Sequence, residues 1–148
     1  MSKPLIVVTG KNGQLGSELQ LLAPSLAHVY DLLFADRALL DLSSNESVEL
    51  FCSQHKPAVV INCAAYTAVD KAENLGEREI AFAINAKVPT VMAHYIANVA
   101  HGILVHYSTD YVFADTKQDA YFETDPVGPI ENLNIYGQSK LAGERAIE

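Results

Sequence analysis

The chain of 148 residues has no tryptophan, two cysteines, and ten lysines and arginines against 18 acids. The shortage of basic residues leaves a net charge of -8 and no basic block, which argues against nucleic acid or an anionic membrane surface as a partner. Any anionic ligand must then be held locally, by backbone amides or single cations. Long apolar runs are missing too. PLIVV and AVVIN are strand-length, far below the roughly 20 residues of a membrane span. Met1-Ser2-Lys3 leads into the first of them with no signal-peptide pattern, so a soluble, cytoplasmic protein is expected. In that setting Cys52 and Cys63 are expected to be free thiols, and the CxxH of Cys52 and His55 lacks the second ligand pair that a zinc site needs. With 49% hydrophobic residues and eight glycines, the composition is that of an ordinary globular chain.

Strand-length apolar runs alternate with helical patterns, which predicts an α/β fold with a parallel sheet and crossover helices. Strands are expected over 5–9, 29–35, 58–63 and 103–108. A first helix should cover 13–22 and stop before Pro24, and a second should run from a Ser44 or Asn45 cap to His55, with Pro57 beyond it. The stretch 77–100 reads as helical, with Pro89 starting a new helix or kinking one long one. Residues 115–134 carry Pro126, Gly128 and Pro129 and read as a long binding or lid loop, before a last helix over 135–148. Together these make a Rossmann-like, doubly wound sheet in strand order 3-2-1-4, incomplete on its C-terminal side.

Between the first strand and first helix lies Thr9-Gly10-Lys11-Asn12-Gly13-Gln14-Leu15-Gly16. Glycines at this spacing let the backbone approach a pyrophosphate, and the helix N-terminus adds unpaired amides and the positive end of its dipole. Asp36 stands about 20 residues on, where an acid binds the adenosine ribose hydroxyls. Arg37 beside it and Lys11 in the turn are suited to a 2′-phosphate, so the choice between NAD and NADP stays open. Tyr136 and Lys140, four residues apart on the last helix, project from one face about one turn apart. A phenol has a reference pKa of about 10, and a nearby ammonium favours its phenolate, which brings it into range as a proton donor to a ketone. The spacing alone is common on solvated helices and gains weight from the glycine turn upstream.

The GxxGxxG turn and the Tyr-x-x-x-Lys pair resemble the extended short-chain dehydrogenase/reductase family. NCAAYTAVDKAE from Asn62, HYSTDYVF from His106 and NIYGQSKLAGE from Asn134 resemble, within it, the dTDP-4-dehydrorhamnose reductases over the whole chain. The resemblance implies an NAD(P)-binding domain over 1–148 without the C-terminal substrate-binding region. It implies an oxidoreductase that uses NADP or NAD to reduce the C4 ketone of a dTDP-4-keto-6-deoxy sugar toward dTDP-L-rhamnose. Tyr136 would be the proton donor, Lys140 would depress its pKa and hold the nicotinamide ribose, and Thr109 would bond the substrate carbonyl, with Ser108 a competitor for that role.

By the same resemblance Ala64, Ala65 and Tyr66 border the cofactor path, Tyr66 standing where a histidine is frequent. Asp41 and Leu42 would contact adenine, Thr67, Val69, Asp110 and Tyr111 would face the sugar, and Asn85 would be structural. Glu18 would hold Mg2+ at a dimer interface, in a homodimer or other homo-oligomer. A sibling epimerase or dehydratase and a non-catalytic, cofactor-holding regulatory subunit are the alternatives. A Ser-His-Asp hydrolase built on His106, Ser108 and Asp110 lacks the GxSxG elbow.

Overall fold

In a computed structural model that describes residues 2–113 and 117–148, four parallel strands form one sheet. They are β1 (Leu5–Thr9), β2 (Asp31–Ala35), β3 (Val59–Asn62) and β4 (Ile103–His106). The doubly wound α/β class is as expected, but the order is β2-β1-β3-β4, which corrects 3-2-1-4. β3 is apolar on both faces and gains most from a central place, between β1 and β4, whereas β2 begins at the exposed Asp31 and tolerates the edge.

β1 runs out to β2 through α1 (Gln14–Leu26), and α2 (Asn45–His55) carries the chain back across β1. Right-handed crossovers in opposite directions place these helices on opposite faces. Val7, Ala35 and Val60 pack against Val48, Phe51 and Cys52 of α2, and against Met92 and Tyr95 of α5 (Val88–Tyr95), in the main core. On α1's side the sheet is less covered toward β4, where Ile103 is 60% and Val105 36% exposed.

Several boundaries differ from those expected. α1 runs through Pro24, because a proline in the last turn costs one backbone bond while the helix continues to Leu26. β2 starts at Asp31 because the amides of Val29 and Tyr30 turn back onto Leu26 O. α2 has Ser44 as its N-cap, the hydroxyl accepting from Ser47 N at 3.2 Å. The helical stretch runs from α3 (Val69–Ala72) and α4 (Leu75–Phe82) through a π turn (Ala83–Lys87) into α5 and a second π turn (Ile96–Ala100). β4 ends at His106, two residues early, and a 3-10 turn (Asp110–Val112) follows.

The expected loop from 115 lies outside the described residues as far as 116. Its remainder docks through Gly128 N to Val112 O and holds a short 3-10 turn (Ile130–Asn132) before α6 (Ile135–Ile147). Among the described residues no helix is long and apolar enough to cross a membrane.

Candidate active site

The sheet delivers its functional residues at the C-terminal ends of its strands, where an open α/β sheet leaves a crevice. Gly10 follows β1 with φ +67, a conformation that L side chains rarely adopt, and a Cβ there would lie 2.8 Å from Ala64 N. A Cβ on Gly16 would lie 2.3 Å from Gly10 O, so the turn can close onto α1 only with glycine at both ends. α1 begins at Gly13 with no side-chain cap and no acid in its first turn. Its amides are therefore free for an anion, with Asn12, Gln14 and Leu15 exposed at the mouth.

After β2, Asp36 does two jobs. Its Oδ1 accepts from the amides of Ala38 and Leu39, both at 3.1 Å, and its Oδ2 pairs with Lys11 Nζ at 2.7 Å. The Lys11 bond, then the Leu39 amide, hold this carboxyl below the usual carboxylate range. Arg37 is exposed beside it.

At the other end, β4 has already ended before Ser108 and Thr109, so strand alternation does not choose between them. Ser108 is exposed, while Thr109 caps the 3-10 turn, accepting from Tyr111 N at 3.3 Å and donating to Asp110 Oδ1 at 3.2 Å. The Tyr111 ring in that turn meets the Tyr136 ring edge-on. α6 starts at Asn134, whose Oδ1 accepts from Gly137 N at 2.7 Å, while Glu73 Oε1 accepts from Ile135 N at 2.9 Å. Four residues after Tyr136, Lys140 is 2% exposed; its Nζ donates to Tyr107 O and lies 3.4 Å from His106 Nε2. Burial pulls the lysine's pKa down, against the opposing pull of Glu144 one turn further on.

Asn85, fully buried in the π turn, joins the two ends. Its Oδ1 accepts from Tyr66 N at 2.8 Å, and its Nδ2 donates to Tyr66 O at 3.0 Å and to Ser139 Oγ at 2.9 Å. The phenol of Tyr66 donates to Glu77 Oε2 at 2.6 Å, which pushes its pKa up to about 12.

Other candidates lie around this core. Ala64 is half-buried against Gly10, and Ala65 and Thr67 are exposed after it. Val69 packs on the cluster of Ala72, Ala81 and Tyr136. Asp41 takes both the amide and the hydroxyl of Ser43, and Leu42 packs on the main core. Glu18 is exposed on α1, and among the described residues no group of three or more His, Cys, Asp and Glu is gathered to hold a metal. Cys52 and Cys63 are free, each thiol pushed up by burial.

Sequence reasoning passed over Thr9, Asn62, Glu73 and Ser139, and weighed His106 only as part of a hydrolase. Three of them carried a signal: three apolar strands each end on a polar residue, Thr9, Asn62 and His106, and the register sets these side by side.

Fold and site first define a class, the Rossmann-like domain with a glycine turn at one end and a Tyr-Lys helix at the other. A family model described as "RmlD substrate binding domain" matches residues 4–148, and the chain belongs to that family. The dTDP-4-dehydrorhamnose reductase of Burkholderia thailandensis is 46% identical over 142 residues, covering 96% of this chain and 45% of the relative. That of Salmonella typhimurium is 42% identical over 147 residues, covering 97% and 46%. The crystal structure of the Bacillus anthracis dTDP-4-dehydrorhamnose reductase in complex with NADP is similar with a TM-score of 0.85 at 39% identity, covering 99% of this chain and 50% of that one. The chain thus spans about half the length of these relatives.

Proposed function

We propose that the complete protein reduces the C4 ketone of a dTDP-4-keto-6-deoxy sugar with a nicotinamide dinucleotide, and that this chain is its cofactor-binding portion. The observation that carries the reading is Lys140: a buried lysine without an ion-pair partner among the described residues, one turn from Tyr136 and tied to the end of β4. Burying such a cation is costly unless something bound there uses it. The naming of the relatives as dTDP-4-dehydrorhamnose reductases supports the same substrate class.

The residues present fit the dinucleotide. The open amides of α1 and the Gly10 turn would hold its pyrophosphate, Asp36 with Lys11 and Arg37 its adenosine ribose or 2′-phosphate, and Lys140 its nicotinamide ribose. When bound, that group supplies a hydride to the ketone carbon. Tyr136 donates a proton to the ketone oxygen as charge develops there, and Thr109 donates a hydrogen bond to the same oxygen. Lys140 stabilises the phenolate that Tyr136 leaves. Thr67, Val69, Asp110 and Tyr111 border the sugar, and Ser108 stands next to Thr109. The remainder of the protein supplies most of the grip on the dTDP group and packs toward β4, where Ile103 and Val105 are exposed. The protein works as a homo-oligomer in the cytoplasm, and a magnesium ion at Glu18 would draw its further ligands from a second copy.

The test is NADPH oxidation by the full-length protein with a dTDP-4-keto-6-deoxy sugar. Tyr136→Phe should lower kcat at least about 100-fold with NADPH binding retained. An unchanged rate sinks the assignment, and product analysis separates reduction from epimerisation or dehydration.

A further inference from the structure

Thr9, Asn62 and His106 form one row across β1, β3 and β4, on the sheet face that meets α6. The row has a direction. Ala64 N, in the loop against Gly10, donates to Thr9 Oγ1 at 3.2 Å, and the Thr9 hydroxyl donates to Asn62 Oδ1 at 2.6 Å. That fixes the amide, because turning it over would leave the hydroxyl of Thr9, 1% exposed, without an acceptor among the described residues. Asn62 Nδ2 therefore donates to His106 Nδ1 at 3.0 Å. A neutral imidazole whose Nδ1 accepts must carry its proton on Nε2, and Nε2 is the atom 3.4 Å from Lys140 Nζ.

We infer that Asn62 and His106 are positioning residues for Lys140: the fixed amide holds the imidazole as the Nε2–H tautomer, which faces the lysine and eases loss of its proton. The inference rests on the proposed Tyr-Lys chemistry and deepens it. Burial and the neighbouring lysine push His106 down to about 4, so the ring stays neutral across the working range. The groups that meet the pair are the Tyr107 carbonyl, which accepts from Lys140 Nζ, Asn62 from β3 at His106 Nδ1, and Gly143 and Glu144 from α6, with the Asn85 carbonyl of the π turn under Gly143. Among the described residues Glu144 is the carboxylate that acts on the lysine, and it opposes the imidazole. The row also couples the two ends of the site, since its first donor is a backbone amide packed on the glycine turn.

The experiment uses the full-length protein with NADPH bound. Long-range 1H–15N correlation of the histidine side chains, assigned with His106→Phe, should show His106 as Nε2–H at neutral pH. An Nδ1–H tautomer or an imidazolium overturns the inference. Asn62→Asp is close to isosteric, but its carboxylate accepts a hydrogen bond from Nδ1–H, which shifts the ring proton from Nε2 to Nδ1 and turns an Nε2 lone pair toward Lys140. The alkaline limb of kcat/KM for reduction, which marks loss of the proton from the Tyr136 and Lys140 pair, should then move up by about one pH unit. An unmoved limb in a folded, NADPH-binding Asn62→Asp protein overturns it as well. The tautomer measurement needs no turnover, so it decides the matter even if no keto-sugar is reduced. A working reductase with an unmoved limb sinks the role of Asn62 and His106 alone.

Discussion

The rings of Tyr111 and Tyr136 meet edge-on, with centroids 5.5 Å apart and planes at 79°. Tyr111 belongs to the 3-10 turn that Thr109 caps, so one aromatic contact sets the proposed proton donor against the residue proposed to bond the ketone. Edge-to-face pairs contribute about 0.5–1.5 kcal/mol. Tyr111→Ala should lower kcat of the full-length enzyme roughly tenfold, whereas Tyr111→Phe, which keeps the ring, should stay within about threefold. Steady-state kinetics of both variants check this, and equal losses would show that the hydroxyl matters instead.

The Lys11 and Asp36 pair predicts cofactor preference. With Lys11 in place, Oδ2 of Asp36 is occupied and a cation stands ready for a 2′-phosphate. Lys11→Ala removes that cation and frees the carboxylate for ribose hydroxyls. NADPH affinity should fall about tenfold or more, while NADH affinity stays level or rises. Fluorescence titration with both nucleotides reads the ratio, and an unchanged ratio would exclude Lys11 from the 2′ site.

His106 predicts acid sensitivity. Its pKa is about 4 when folded, from an ordinary 6.5. Above the ordinary value both states are neutral and stability is complete. As pH falls from there toward the folded value, the unfolded chain takes up a proton that the folded one refuses. Stability is lost over that window, by something on the order of 3 kcal/mol in all. Urea midpoints measured across the window should fall less steeply in His106→Phe than in the parent, whatever the variant's absolute stability. Parallel slopes would contradict the assignment.

The parallel α/β class, the glycine turn and a cap at Ser44 or Asn45 were legible because each rests on a local pattern: apolar runs, glycine spacing, short polar side chains before a helix. The place of β3 was not, since strand order depends on which apolar surfaces must be covered from both sides, and that is settled between elements far apart in the chain. The end of β4 at His106 had the same origin. Asn85 was legible only as a structural residue by resemblance; its bonds to Tyr66 and Ser139 span 19 and 54 positions, which no local window contains. Lys11 and Asp36 were read separately as cofactor ligands, and their pairing with each other appears only when β1 and β2 lie side by side.

Glu73 closes the start of α6 from 62 positions upstream, bonding the amide just before Tyr136. It comes directly after the short α3 that begins at Val69. The spacing of the Val69 segment from the Tyr136 phenol is therefore set by that hydrogen bond and by the packing of Val69 against Tyr136 rather than by the length of any loop. Insertions between residues 117 and 127 would leave that spacing unchanged, whereas a single residue added between Val69 and Glu73 would shift the proposed proton donor relative to Val69.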